Sequence, residues 1–181
     1  MNLQAGCAVA FLLLVLDPVE SQSAERDGLD VPMLPAKLFR YTAGKGPSYV
    51  DGATMARLDN TPKDNPITDA GATLGRVLFY DKQLSRNNTI SCGSCHKQKR
   101  AFADPRRVSV GFEDGLTTRN AMSLANLRFT NVRGNRPGFF WDERAATLEE
   151  QVLMPIQDQI EMGMRLPDLE AKLQKVPYYA P

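Results

Sequence analysis

The sequence predicts a mainly α-helical domain with long ordered loops. Three observations carry that expectation: helical spacing of apolar residues recurs in separate short stretches, no run of alternating polar and apolar residues persists, and Gly, Pro and Asp cluster between the periodic segments. At 181 residues, 43% of them apolar, the chain can form one domain with a real core and is too short for two ordinary ones. A charged fraction of 24% and a net charge of +1 are those of a soluble globular protein. No basic run and no interleaving of aromatic and basic residues points to nucleic acid.

Residues 1–23 read as an atypical signal peptide. Ala5 to Leu16 is an apolar run, shorter than the roughly 20 residues a membrane-spanning helix needs, and Ser21-Gln22-Ser23 offers a small-x-small cleavage site. It is atypical because no Lys or Arg precedes the apolar run. Its removal would also remove Cys7, leaving Cys92 and Cys95 to be explained together. Residues 24–66 are rich in Pro, Gly and Asp and read as an extended arm wrapping a core.

The first strong helix begins at Thr68-Asp69, with Leu74, Val77 and Leu78 spaced to share one face. A polar loop leads from it into "TISCGSCHKQKRAFAD", and residues 103–118 are irregular, with turns at Gly111 and Gly115. A short helix is expected from about Ala121, and a loop over residues 130–140. Thr147 and Glu150 form a capping box that opens a further helix, which Pro155 should kink or end. Pro167 opens a last helix with Leu169, Leu173 and Val176 on one stripe. Loops this long need something to pack on, and a large flat cofactor would supply it.

Cys92, Cys95 and His96 form C-x-x-C-H, the attachment pattern for haem c, and His96 is the sole histidine of the chain. Two thiols on one helical turn can add to the two vinyl groups at a porphyrin edge, and the adjacent imidazole then meets the iron. A structural zinc site needs four ligands, and no further Cys or His follows the motif. A thioredoxin-like pair needs a strand before the first cysteine, and none precedes Thr89. Covalent haem attachment agrees with export, since bacteria complete it outside the cytoplasm. The ligand on the iron's other face stays open at this point. Met154 or Met162 would make an electron carrier with His/Met ligation, although most methionines fill cores.

The surrounding motifs sharpen the reading. "LGRVLFYDKQLS", "SCGSCH", "AFAD", "SVGF", "TRNAMSLAN", "FFWDERAATLEEQ" and a proline followed by "EMG" occur in order from about Thr68 to the C-terminus. In these the chain resembles the bacterial di-haem cytochrome c peroxidase/MauG family, in its N-terminal, peroxidatic-haem domain. The resemblance implies a cytochrome c-like haem domain over residues 67–181, in which Cys92, Cys95 and His96 hold the low-potential haem. Typical members carry a distal histidine at the position of Phe112, 16 residues after His96. Phenylalanine cannot ligate iron, so the resemblance implies an open distal face. It also implies a distal pair, Gln151 and Glu161, for orienting peroxide and moving its protons. Trp141 takes the place of a tryptophan between two haems, and Asn120 that of a calcium ligand.

The implied reaction is reduction of hydrogen peroxide to water with electrons from a small periplasmic cytochrome c or cupredoxin. A MauG-like oxidase acting on a protein or organic substrate shares the same domain, and a mono-haem electron-transfer cytochrome is the competing class. Family members carry a second C-x-x-C-H domain. Its lack here leads to the expectation of a chain cut at the domain junction, with Trp141 on an exposed apolar patch. The resemblance allows a dimer for the full-length protein.

Overall fold

The structure, a computed structural model, describes residues 32–34, 36–42, 51–129 and 138–179. The expected leader, residues 1–23, lies outside the described residues, as does most of the expected loop at 130–140. The described residues form short helices joined by ordered loops. Their pairings of extended backbone are isolated bridges, Lys97 with Ala103, Val110 with Leu116 and Phe139 with Ala145. The mainly α expectation holds.

The stretch read as an extended arm contains a helix, α1, Gly52–Leu58. Asp51 caps it, accepting from the Thr54 N–H at 2.8 Å. Beyond its end, Asn60 donates to the carbonyls of Arg128 and Leu127 at 2.9 Å each, and Asp59 pairs with the Arg128 guanidinium. These bonds tie α1 to a 3₁₀ turn at Leu127–Phe129. Further upstream, Thr42 donates twice to Asp69 Oδ1 at 2.9 and 3.1 Å, and Arg76 lies over the Phe39 ring.

Helix α2, Asp69–Tyr80, starts where the sequence places it, with Thr68 accepting from the Gly71 N–H at 3.0 Å. Its inward face differs from the expected one. Thr73 is buried, its hydroxyl donating to the Asp69 carbonyl at 2.7 Å, while Leu74 is exposed. The inner stripe runs through Thr73 and Val77, so Leu74 falls one position outside it.

Helix α3, Cys92–Cys95, is a single turn opened by a serine pair: the Ser91 N–H donates to Ser94 Oγ at 2.9 Å. It packs on the end of α2. A Cβ at Gly93 would stand 2.7 Å from the Tyr80 ring, so only glycine permits this approach.

The helix expected from Ala121 is absent. Residues 121–124 are irregular, because their hydrogen bonds go to the neighbouring loop. The Ala121 carbonyl accepts from the Asp104 N–H, and the Ser123 hydroxyl donates to the Ala101 carbonyl at 2.7 Å.

Helix α4, Leu148–Gln157, is capped by Thr147, which accepts from the Glu150 N–H at 3.0 Å. Glu150 reaches back to the Ala146 N–H, one residue before the cap, at 2.9 Å. Pro155 does not end the helix, which runs on to Gln157. Helix α5, Leu166–Leu173, carries Pro167 in its first turn, and Leu169 and Val176 are buried as the stripe requires. Leu84, Ile156, Met162, Met164 and Leu169 make the core, with Leu78, Ile90, Leu166 and Leu173 against it. The C-x-x-C-H turn and the loop after α4 are thus fixed to one core.

Candidate functional site

Cys92, Cys95 and His96 are all half-buried. The imidazole is already oriented: His96 Nδ1 lies 2.7 Å from the Phe102 carbonyl. With the proton on Nδ1 donated to that oxygen, Nε2 is left to meet an iron, the arrangement that fixes a metal-binding histidine. The carbonyl reaches its place through an unusual backbone. Ala101 and Phe102 both have positive φ, 52° and 62°, conformations that cost L-residues energy and persist where surrounding structure enforces them. The Phe102 N–H bonds to the Lys97 carbonyl at 2.9 Å, and its ring packs edge-on against Phe79.

The surroundings of both thiols favour the neutral form. Burial pushes Cys92 up to about 11, helped by the charges of Cys95 and Glu161. Cys95 is raised mainly by burial, against a hydrogen bond from Ser109. Among the described residues no group of three or more His, Cys, Asp or Glu could hold a metal ion. Half-buried neutral thiols beside an imidazole with its Nδ1 spent fit haem c.

Behind this turn sits a saturated carboxylate. Asp104 is buried and accepts from the Arg106 N–H (2.9 Å), Nε (3.0 Å) and Nη2 (2.8 Å), and from the Ser109 hydroxyl at 2.8 Å. The Arg106 guanidinium holds Asp104 down at about 2. Sequence reasoning passed over both Asp104 and Ser109; an Asp two residues before an Arg, inside a motif otherwise apolar, was the available signal.

Glu161 faces the opposite condition. It is half-buried, and burial is the largest cause raising its pKa, with the Asp158 charge adding and Arg144 opposing. Its charge is among the lesser causes that raise Cys92 and Cys95, burial being the largest. The turn that carries it is rigid. Asp158 Oδ1 accepts from the Ile160 and Glu161 N–H groups at 2.8 and 3.0 Å, and the Asp158 carbonyl accepts from those of Met162 and Gly163. Gly163 has φ +63°, and a Cβ there would stand 2.4 Å from the Phe112 ring. Phe112 is buried, and its N–H donates to the Glu161 carbonyl at 3.0 Å. Phe112 is therefore built into the Glu161 turn.

Gln151 is half-buried on α4, and its backbone N–H donates to the Thr147 carbonyl. Met162 fills the core, its side chain 4% exposed, and so is spent on packing; Met154 is half-buried. Trp141 is exposed at 59%, its indole N–H donating to the Asn120 carbonyl at 2.9 Å. It sits in a loop closed by the Phe139–Ala145 bridge, where Phe140 and Glu143 have positive φ. Asp142 in that loop joins Arg119 and Arg144, and the Arg144 guanidinium lies 3.6 Å from the centre of the Phe140 ring. The amide of Asn120 donates to the carbonyls of Asp104 and Arg106 at 3.1 and 2.6 Å. Asn120 thus joins the Asp104 loop to the Trp141 loop.

A family model described as di-haem cytochrome c peroxidase matches residues 69–181. The methylamine utilization protein MauG of Methylophilus methylotrophus is 34% identical over 120 residues, covering 66% of this chain and 34% of that one. The cytochrome c551 peroxidase of Pseudomonas aeruginosa is 34% identical over 117 residues, covering 65% of this chain and 32% of that one. A solved MauG-like protein associated with microbial copper homeostasis superposes with a TM-score of 0.60 at 37% identity, over 74% of this chain and 36% of that one. The chain spans about a third of the length of the curated relatives it matches.

Proposed function

The chain belongs to the di-haem cytochrome c peroxidase family, and on that premise we propose that residues 67–181 bind haem c covalently and reduce hydrogen peroxide to water. The observation that carries this reading is the oriented imidazole beside the two cysteines: His96 Nδ1 is spent on the Phe102 carbonyl at 2.7 Å, which leaves Nε2 for an iron. Bound haem would supply the iron that receives peroxide and the electrons that cleave its O–O bond. Cys92 and Cys95 would hold the porphyrin edge, and His96 Nε2 would bind the iron.

Cleaving hydrogen peroxide to water requires a proton to move from its inner oxygen to its outer one. A carboxylate can accept the first and deliver the second, and a raised pKa brings Glu161 closer to the pH at which both halves run well. The Gln151 amide would orient the peroxide without titrating. Phe112, buried against Gly163, supports an iron face left open opposite His96. Trp141 would carry electrons toward the site, which a small cytochrome c or cupredoxin would deliver.

The test is Glu161→Gln. Haem content should be unchanged while peroxide turnover falls at least about tenfold, a modest demand on acid–base catalysis. Turnover that survives intact removes Glu161 from the role of proton shuttle.

A second reading has its own support: relatives named MauG match at 34 to 40% identity, as well as those named peroxidase. A MauG-like oxidase would use the same haem domain on a protein or organic substrate. Calcium at Asn120 fits after one change. Turning the amide half-way round would bring its oxygen to the carbonyls of Asp104 and Arg106, a convergence of oxygens that suits a hard cation. A loss of thermal stability on adding a calcium chelator tests it. Export to the periplasm is supported by the apolar stretch Ala5–Leu16 and by the site of covalent haem attachment. Among the described residues no helix is long and apolar enough to cross a membrane.

A further inference from the structure

Away from the cleft, one carboxylate takes two phenols. Asp81 closes α2, its N–H donating to the Leu78 carbonyl at 3.1 Å and its Oδ1 accepting from the Gln83 N–H at 2.8 Å. Its other oxygen, Oδ2, accepts from the hydroxyls of Tyr178 at 2.8 Å and Tyr179 at 2.7 Å. Both tyrosines are half-buried in the turn Pro177–Tyr179, with ring centres 4.7 Å apart. The neighbour of Asp81, Tyr80, is the residue packed on Gly93 between the two haem-binding cysteines. The phenol pair is therefore joined to the turn of Cys92 and Cys95 through two residues, Asp81 and Tyr80.

A phenol that loses an electron becomes a strong acid. Its oxidation is easiest where a base stands at hydrogen-bonding distance to take the proton in the same step, and a carboxylate is such a base. Trp141 differs, because its indole N–H donates to a backbone carbonyl, which cannot take a proton. Burial and the bond to Asp81 hold the Tyr179 hydroxyl well above its ordinary pKa, so it stays protonated and donating. The Lys172 ammonium donates to the Ser85 carbonyl and to Asn88 Oδ1; burial lowers its pKa, and the Asp81 charge opposes that.

We propose that Tyr178, Tyr179 and Asp81 form a redox-active site that supplies one electron to the haem after hydrogen peroxide has oxidised it. The inference rests on the peroxide-reducing reading above. One electron leaves the tyrosine pair, a phenolic O–H bond breaks, and its proton passes to Asp81 Oδ2. A neutral tyrosyl radical and a protonated carboxyl remain. A one-electron donor in solution then returns the electron, and Asp81 returns the proton. Hydrogen peroxide takes up two electrons and two protons and leaves as two waters, one electron passing through this site and the other coming directly from the one-electron donor in solution.

The experiment mixes the haem-loaded full chain with one equivalent of hydrogen peroxide, freezes it, and records EPR spectra, with a spin trap and mass spectrometry to locate the radical. The native chain should give an organic radical trapped on Tyr178 or Tyr179, lowered at least about tenfold in the double variant Tyr178→Phe, Tyr179→Phe. A radical that persists in the double variant, or a trap adduct on Trp141 instead, overturns the proposal. If peroxide leaves the haem spectrum unchanged, the peroxide reading fails, and a photochemical oxidant decides this site separately. Flash-generated tris(bipyridyl)ruthenium(III) should oxidise Tyr178 or Tyr179 at least about tenfold more slowly in Asp81→Asn, whose side-chain oxygen still accepts from Gln83. An unchanged rate overturns the role of Asp81.

Discussion

Asp104 and Glu161 are both carboxylates withdrawn from solvent, and their surroundings have pushed them in opposite directions. Asp104 receives three donors from Arg106 and one from Ser109 and is held down at about 2. Glu161 is raised by burial, with a second carboxylate, Asp158, adding to the rise. The first is a permanent anion that fastens the loop behind His96. The second can gain and lose a proton. Environments that drive two carboxyls apart in this way separate structure from chemistry.

The comparison can be broken from either side. The largest expected effect is on turnover. Glu161→Gln removes at least about tenfold of peroxide turnover, whereas Asp104→Asn leaves turnover per bound haem within about twofold, as steady-state assays on haem-quantified protein will show. A comparable loss in both variants would erase the distinction.

Next comes stability. Asp104→Ala leaves Arg106 and Ser109 without their acceptor and should cost about 2–4 kcal/mol in denaturant unfolding. The pH dependence follows from its depressed pKa. The contribution of Asp104, roughly 2 kcal/mol before allowance for its half-exposed partner Arg106, is fully present above its unfolded value near 3.8 and is lost as pH falls toward about 2.

Gly163→Ala acts through geometry. Its left-handed backbone and the Phe112 ring 2.4 Å from any Cβ should cost about 1–3 kcal/mol and shift the Glu161 turn, lowering turnover as well. Unchanged thermal melting and turnover would mean the turn is not held as described.

The smallest effect has the opposite sign. A carboxyl whose folded pKa is raised stabilises the protein below its unfolded pKa, and that contribution is lost as pH rises through the folded value. Glu161 therefore weakens the fold at neutral pH, and Glu161→Gln should raise the melting temperature slightly. A fall would show that Glu161 is a structural anion like Asp104.

The parts of this account that were legible in the sequence are those with local causes. Thr68 and Thr147 announce their helices by capping chemistry, and Pro167 announces the last one. The haem motif is legible because its chemistry demands fixed spacing. Residues 121–124 were misread because their backbone groups are spent on the Asp104 loop, a pairing across the chain that no local pattern records. Helix α1 was missed in a Pro- and Gly-rich stretch, although Asp51 three residues before Thr54 is a capping signal. The acceptor for His96 is a backbone carbonyl, so no side chain could have named Phe102. The opposed states of Asp104 and Glu161 likewise depend on who surrounds them.

The most direct test of the central claim is the absorption and EPR spectrum of the ferric, haem-loaded protein with and without hydrogen peroxide. The proposed reading predicts a high-spin iron that reacts at once with peroxide, with neither Phe112, which is buried and cannot ligate iron, nor core-packed Met162 on the face opposite His96. A low-spin iron with a methionine signature, inert to peroxide, would contradict it and make this domain an electron carrier.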